Sequence, residues 1–191
     1  PAELFAGFSR WLATALLALG LASPAQAVYI QRYSANANGA ITFTGSAPGG
    51  WGIRSKVPHK KVNLELGSNA PLIVNDDGDW ETAADKAQIH AFSHAGQSCI
   101  SIQRILVHED IAEGFIQRLK TNVESLKVGD PMDPDTDVGP LITRGDRDRV
   151  KEWVDEAVAS GAELVTGGEL VDEDRCLAPT LLRHPSREAK V

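Results

Sequence analysis

Two side chains in this sequence have types and settings suited to covalent chemistry. Glu65 lies in Leu64-Glu65-Leu66-Gly67, and Cys99 follows it by 34 positions in Gly96-Gln97-Ser98-Cys99. A thiolate can add to a carbonyl carbon and carry an acyl group as a thioester. A nearby carboxylate can then take a proton from the water that cleaves that thioester. Glycines beside both residues suit close approach of another molecule. The sequence has only one other cysteine, Cys176, and its setting beside Leu177 predicts a structural role.

A third segment bears on the same chemistry. Phe43-Thr44-Gly45-Ser46-Ala47-Pro48-Gly49-Gly50 runs from a short apolar stretch through a glycine turn toward a helix starting near Pro48. A helix N-terminus offers free N–H groups and the positive end of its dipole, which suit a pyrophosphate. Taken singly, each feature has a plainer reading. The turn could be an ordinary tight turn, Glu65 an exposed strand-end carboxylate, and Cys99 a small buried hydrophobe.

Elements able to hold these groups can be read from the pattern. Ala40–Thr44, Val62–Leu66, Pro71–Val74, Ile105–Val107 and Leu164–Thr166 are strand candidates, as is Val28–Ile30. Gln31–Gly39 is polar and reads as a loop. Residues 11–22 are Ala/Leu-rich and helix-prone. Helical spacing marks Asp79–Ser93 through Ala83, Ala84, Ala87 and Phe92, and Asp110–Val123 through Ile111, Phe115, Ile116 and Leu119. It also marks Arg147–Ser160, with Val150, Trp153, Val154, Ala157 and Val158 on the apolar side and Gly161 as the stop. Residues 128–141 form a turn-rich connector. Strands alternating with helices predict an α/β fold with parallel sheets covered by helices.

The composition is that of a globular protein: 42% hydrophobic, 24% charged, with a net charge of −7 over 191 residues. Lys and Arg are scattered, so no basic stripe for nucleic acid is expected. No Cys-x-x-Cys motif and no paired-cysteine framework are present, which predicts a reducing, cytoplasmic compartment and no structural metal. Arg10, the apolar run Trp11–Ala22 and Ala25-Gln26-Ala27 together have the pattern of a secretory signal. The run is short for a membrane span, so no membrane partner is expected. The competing reading is a buried helix ended by Gly20 and Pro24. The opening residue is Pro1 rather than Met, so an internal piece of a longer chain is expected, and with it the helix.

Four blocks carry a resemblance: Ile41-Thr42-Phe43-Thr44-Gly45-Ser46, Leu64-Glu65-Leu66-Gly67, Gly96-Gln97-Ser98-Cys99 and Asp137-Val138-Gly139-Pro140-Leu141. In this order and at these separations they resemble the NAD(P)-dependent aldehyde dehydrogenase superfamily from about Ile41 onward. The resemblance implies residues 1–67 as the C-terminal part of a Rossmann-type NAD(P)-binding domain and residues 68–191 as the N-terminal part of the catalytic domain. It implies Cys99 as the nucleophile, with its own N–H in the oxyanion hole, and Glu65 as the general base. Gly45 and Ser46 would line the pyrophosphate site, Gly50 would pack the helix on the sheet, and Leu66 would adjoin the cofactor. Pro1-Ala2-Glu3 is similar to a ribose-binding segment, so Glu3 would favour NAD over NADP by repelling a 2′-phosphate.

A small aldehyde is the substrate so implied, best matched by lactaldehyde or a semialdehyde from Ser68-Asn69-Ala70-Pro71 and Cys99-Ile100-Ser101, and the whole enzyme would be a homo-oligomer. This sequence departs from the family pattern at Pro48, Gly49 and Ser68, and the Gln31–Gly39 loop is short. The family's upstream asparagine, its downstream Glu-x-Phe-Gly-Pro block and its oligomerisation strands are not within these residues, so the isolated polypeptide is expected to turn over little. Two rival readings remain: acyl transfer to coenzyme A, against which Glu65 argues, and a catalytically inactive remnant. His90 and His94, four apart, read as solvated or capping residues on one helix. Asp76, Asp77 and Asp79 read as a helix start rather than a calcium loop. Arg104 reads either as a pocket residue or as a surface strand residue.

Overall fold

Residues 32–35, 39–67 and 69–191 are described by the computed structural model. The helix expected over 11–22, the strand Val28–Ile30, Glu3 and Ser68 lie outside the described residues. The chain divides into two units, Pro1–Gly67 and Ser68–Val191. The architecture is α/β, as expected, with parallel strand pairs joined through helices.

In the first unit, β1 (Arg32–Ala35), β2 (Ile41–Thr44) and β3 (Val62–Glu65) form one sheet in the order β1-β2-β3. The β2–β3 pair is parallel, and α1 (Ala47–Lys56) connects the two strands. The α1 helix lies on the sheet at Gly50. A Cβ there would fall 2.7 Å from Leu66 Cδ2 and 3.3 Å from Leu64 Cδ2, so any larger residue would make the Leu66 side chain shift. The buried Phe43 fills the space beside it. The strand β1 corrects the loop expected over Gln31–Gly39. It pairs antiparallel with β2, and an edge strand can take its order from ladder hydrogen bonds without an apolar run.

In the second unit, β4 (Ala70–Val74), α2 (Trp80–Phe92) and β5 (Ile102–Val107) make a strand–helix–strand unit with a parallel pair. The next helix, α3 (Glu109–Glu124), packs with α2, burying Val74, Ala84, Ala87, Phe115, Leu119 and Val123 together. The Asp79 carboxylate caps α2 by accepting the Thr82 N–H at 3.0 Å, which is the helix-starting role expected of that acidic run. Between α2 and α3, Arg118 holds Asp85 through two 2.8 Å hydrogen bonds, and Asn122 adds a third. These bonds, Arg118 foremost, lower the Asp85 carboxyl to about 2.

Helix α4 (Arg144–Ala159) buries Val154 and Ala157, but Val158 is exposed rather than apolar-side. One step past Ala157 turns the side chain about 100° round the helix, out of the buried stripe. At the helix end Ala162 N–H bonds to Ala157 C=O and Gly161 N–H to Val158 C=O, both at 3.0 Å, with Gly161 at φ +101°. This is the double hydrogen-bonded helix stop for which glycine is suited.

The remaining strands pair antiparallel: β6 (Glu163–Thr166) with β9 (Leu181–Arg183), and β7 (Leu170–Val171) with β8 (Cys176–Leu177). These pairs add to the parallel ones that the alternation of elements suggests. The β7–β8 link is only residues 172–175, and a link that short joins antiparallel neighbours, not parallel ones. No helix among the described residues is long and apolar enough to cross a membrane.

Candidate active site

The first unit gathers its candidate residues at the C-terminal ends of two parallel strands. Thr44 and Glu65 are register partners at the ends of β2 and β3, and the Gly45 N–H donates to the Glu65 carbonyl at 3.0 Å. The glycine turn and the carboxylate are therefore neighbours. Ser46 is the N-cap of α1, its Oγ accepting the Gly49 N–H at 3.4 Å. No acidic residue stands in the first turn of α1, so its dipole end is not neutralised from within. The Glu65 side chain is exposed and accepts from Asn63 Nδ2 at 3.3 Å. Leu66 directs its side chain onto Gly50. The edge where α/β sheets take their ligands is the one that carries these residues. A depression of about 590 Å³, lined by Arg54, Val57, Lys60 and Lys61, lies at the other end of α1 and contains none of them.

The second unit presents Cys99 on a turn between α2 and β5. The Ser101 N–H donates to the Ser98 carbonyl at 3.0 Å, which places Cys99 and Ile100 at the two central positions of the turn. Both are exposed, and Cys99 is a free thiol. The Cys99 N–H makes no hydrogen bond to a described residue.

Two anchors hold this turn. Ser101 is 1% exposed, and its hydroxyl lies 3.1 Å from the His90 carbonyl and 2.9 Å from the Ala91 carbonyl at the end of α2. On the other side, Gln97 Nε2 donates to the His94 carbonyl at 2.9 Å, and Gln97 Oε1 accepts the Ile142 N–H at 3.0 Å. The Gln97 backbone N–H also reaches the His94 carbonyl, at 3.1 Å. These bonds close a left-handed stretch in which His94 and Ala95 both have φ 55°. Left-handed backbone costs a non-glycine residue roughly 1–2 kcal/mol, so it persists only where neighbours hold it.

The contact with Ile142 joins the Cys99 block to the residues just after Gly139-Pro140-Leu141. That block is itself tied down: Val138 is buried, Val128 bridges to it, and Asp137 Oδ2 accepts the Lys127 N–H at 2.9 Å. Neither Gln97 nor Ile142 stands out by residue type. Their link, 45 positions long, has no local periodicity to reveal it. The one sequence signal for Ser101 was its small polar side chain next to the thiol.

Other candidates separate cleanly. His90 is in the last turn of α2, but His94 lies beyond the helix, so the two do not share one helix as expected; both are exposed. Arg104 is an exposed residue of β5, paired with Pro71. Asp76, His108 and Asp110 bring possible ligand atoms within 4.8 Å of one another. Helix capping accounts for His108, whose Nδ1 accepts the Asp110 N–H at 3.4 Å at the start of α3. Cys176 is wholly buried, its Sγ 3.8 Å from Asp172 Oδ2 and 4.0 Å from the Gly129 carbonyl. Burial, and then the Asp172 charge, push its thiol above the ordinary value of 9.0.

An α/β protein with a glycine turn and carboxylate on one parallel-strand edge, and an exposed thiol on an anchored turn, is the class these observations define. Residues 31–191 match the Aldehyde dehydrogenase family, and the chain belongs to that family. Among curated relatives, it is 46% identical over 151 residues to 3-sulfolactaldehyde dehydrogenase of Priestia aryabhattai, covering 79% of this chain and 31% of the relative. Among solved structures, lactaldehyde dehydrogenase from Escherichia coli superposes with a TM-score of 0.74 at 33% identity, over 79% of this chain and 32% of that one. Betaine aldehyde dehydrogenase from Staphylococcus aureus in complex with NAD+ superposes with a TM-score of 0.74 at 33% identity, over 80% and 32%. The chain thus spans about a third of the length of the relatives it matches.

Proposed function

We propose that this chain supplies the nucleophile and the general base of an NAD(P)-dependent oxidation of a small aldehyde to its carboxylic acid. The observation that carries the proposal is the anchored turn exposing Cys99, found in a chain whose family and strand-end carboxylate both fit that reaction. Residues 1–67 act as part of the cofactor-binding domain and residues 68–191 as part of the catalytic domain.

The Cys99 thiolate adds to the aldehyde carbon, and the oxygen takes up negative charge beside the Cys99 N–H. Such a donor typically contributes about 3 kcal/mol to the transition state. A bound NAD(P) supplies the hydride acceptor, and the carbon remains attached to Cys99 as a thioester. Glu65 then takes a proton from water as the water adds to the thioester carbonyl. Collapse of that adduct releases the acid and returns the Cys99 thiolate. The Gly45–Ser46 turn and the α1 N-terminus suit the cofactor's pyrophosphate, because Gly45 lacks a side chain and no carboxylate stands in the first helical turn.

NAD is the preferred cofactor, with NADP possible. Relatives named for 3-sulfolactaldehyde and lactaldehyde support a short, oxygenated substrate. Two free thiols suit a reducing cytoplasm, and the whole enzyme acts as a homo-oligomer. The test is a single-turnover reaction with lactaldehyde and NAD+, quenched in acid and read by peptide mass spectrometry. An acyl group on Cys99 that accumulates in Glu65→Gln supports the proposal. No adduct on Cys99 in either protein overturns it.

A further inference from the structure

The side-chain amide of Gln97 is exposed, yet both of its ends are engaged. Its Nε2 donates to the His94 carbonyl at 2.9 Å, closing the left-handed stretch before the thiol, and its Oε1 accepts the Ile142 N–H at 3.0 Å, 45 residues downstream. We infer that Gln97 is a positioning residue: its amide sets the orientation of the Cys99 turn, and so of the Cys99 N–H, by locking it to the segment at Ile142. This rests on the proposed role of Cys99 and adds a residue to it.

The geometry separates this role from simple scaffolding. Ser101 already fixes the far end of the turn to α2 through a buried hydroxyl. A turn held at one end keeps its place in the fold but pivots about that end. Gln97 removes the pivot. The polypeptide between Gln97 and Ser101 is then held at both ends, with Cys99 and Ile100 between them. A reaction that needs a carbonyl oxygen placed against the Cys99 N–H depends on that orientation. A reaction that needs only an accessible sulfur does not.

Two reagents exploit the difference. With p-nitrophenyl acetate, the Cys99 sulfur bonds to the acyl carbon, the carbonyl oxygen bears the transient charge, and p-nitrophenolate leaves with the bonding pair. With iodoacetamide, sulfur displaces iodide from carbon and no oxyanion forms. The measurements are the p-nitrophenolate burst at varied ester concentration and the iodoacetamide labelling rate of Cys99. They are made on the full chain as wild type, Gln97→Leu and Gln97→Glu, with thermal unfolding alongside. Gln97→Leu removes both side-chain hydrogen bonds, whereas Gln97→Glu keeps the acceptor for Ile142 and loses only the side-chain donor to His94; the backbone N–H bond to His94 stays in all three proteins.

The expected result is a saturating acylation rate at least about tenfold lower in Gln97→Leu, with the half-saturating ester concentration and the alkylation rate within about twofold of wild type. Gln97→Glu falls between. Equal acylation in all three proteins overturns the inference while leaving the nucleophile intact, as does a parallel fall in acylation and alkylation. If Gln97→Leu does not fold, the same comparison of Gln97→Glu with wild type decides. A wild type without a burst overturns the nucleophile itself, and this inference with it.

Discussion

The two cysteines occupy opposite kinds of environment. Cys99 is exposed on a four-residue turn that backbone and side-chain hydrogen bonds hold in place. Cys176 is fully buried on β8, with its thiol pushed up by burial and by Asp172. Thiol reactivity follows access and thiolate character, so the same element serves chemistry in one place and packing in the other. The difference also shows where the order around Cys99 comes from. It is not an apolar core around the sulfur but polar contacts on either side of it.

The largest expected effect is on labelling. Under native conditions near neutral pH, iodoacetamide should modify Cys99 at least about 100-fold faster than Cys176, because Cys176 reacts only when its surroundings open. Peptide mass spectrometry over a time course checks this, and comparable rates would break the contrast. Next is the buried anchor. Ser101→Ala removes the single O–H shared by the His90 and Ala91 carbonyls and should cost about 1–2 kcal/mol in urea unfolding.

Cys176→Ala should cost about 1 kcal/mol through lost packing. It carries a pH signature as well. Its thiol is raised in the folded state, so the neutral form's advantage is fully present below the unfolded thiol value and is lost as pH rises through the folded one. Stability should therefore fall on the alkaline side in the wild type, and less steeply in Cys176→Ala. Smallest is Cys99→Ala, which should change stability by less than about 0.5 kcal/mol. A larger loss would mean that Cys99 is a packing residue after all.

Much of the frame could be read from residue spacing, and the reasons are local. The helices α2 and α3 carry clear apolar faces, and Asp79 marks the start of α2 and Gly161 the end of α4 through capping chemistry that depends on neighbouring residues alone. The motif blocks singled out Glu65 near a strand end and Cys99 as the candidate nucleophile. What was not legible depended on distant partners or on very short elements. β1 owes its order to pairing with β2, so its polar residues read as a loop. The strands β7, β8 and β9 are too short to show a two-residue period. His94 leaves the helix through a left-handed step that its spacing from His90 conceals. The Gln97–Ile142 contact exists only once the fold has brought the two segments together.

The proposal requires the Glu65 carboxylate to act on an acyl group carried by Cys99. The lifetime of acetyl-Cys99 after p-nitrophenyl acetate treatment, followed by mass spectrometry in wild type and Glu65→Gln, measures that directly. The account predicts that the acetyl group persists at least about tenfold longer in Glu65→Gln, as expected for loss of a general base. Equal lifetimes in the two proteins would contradict it.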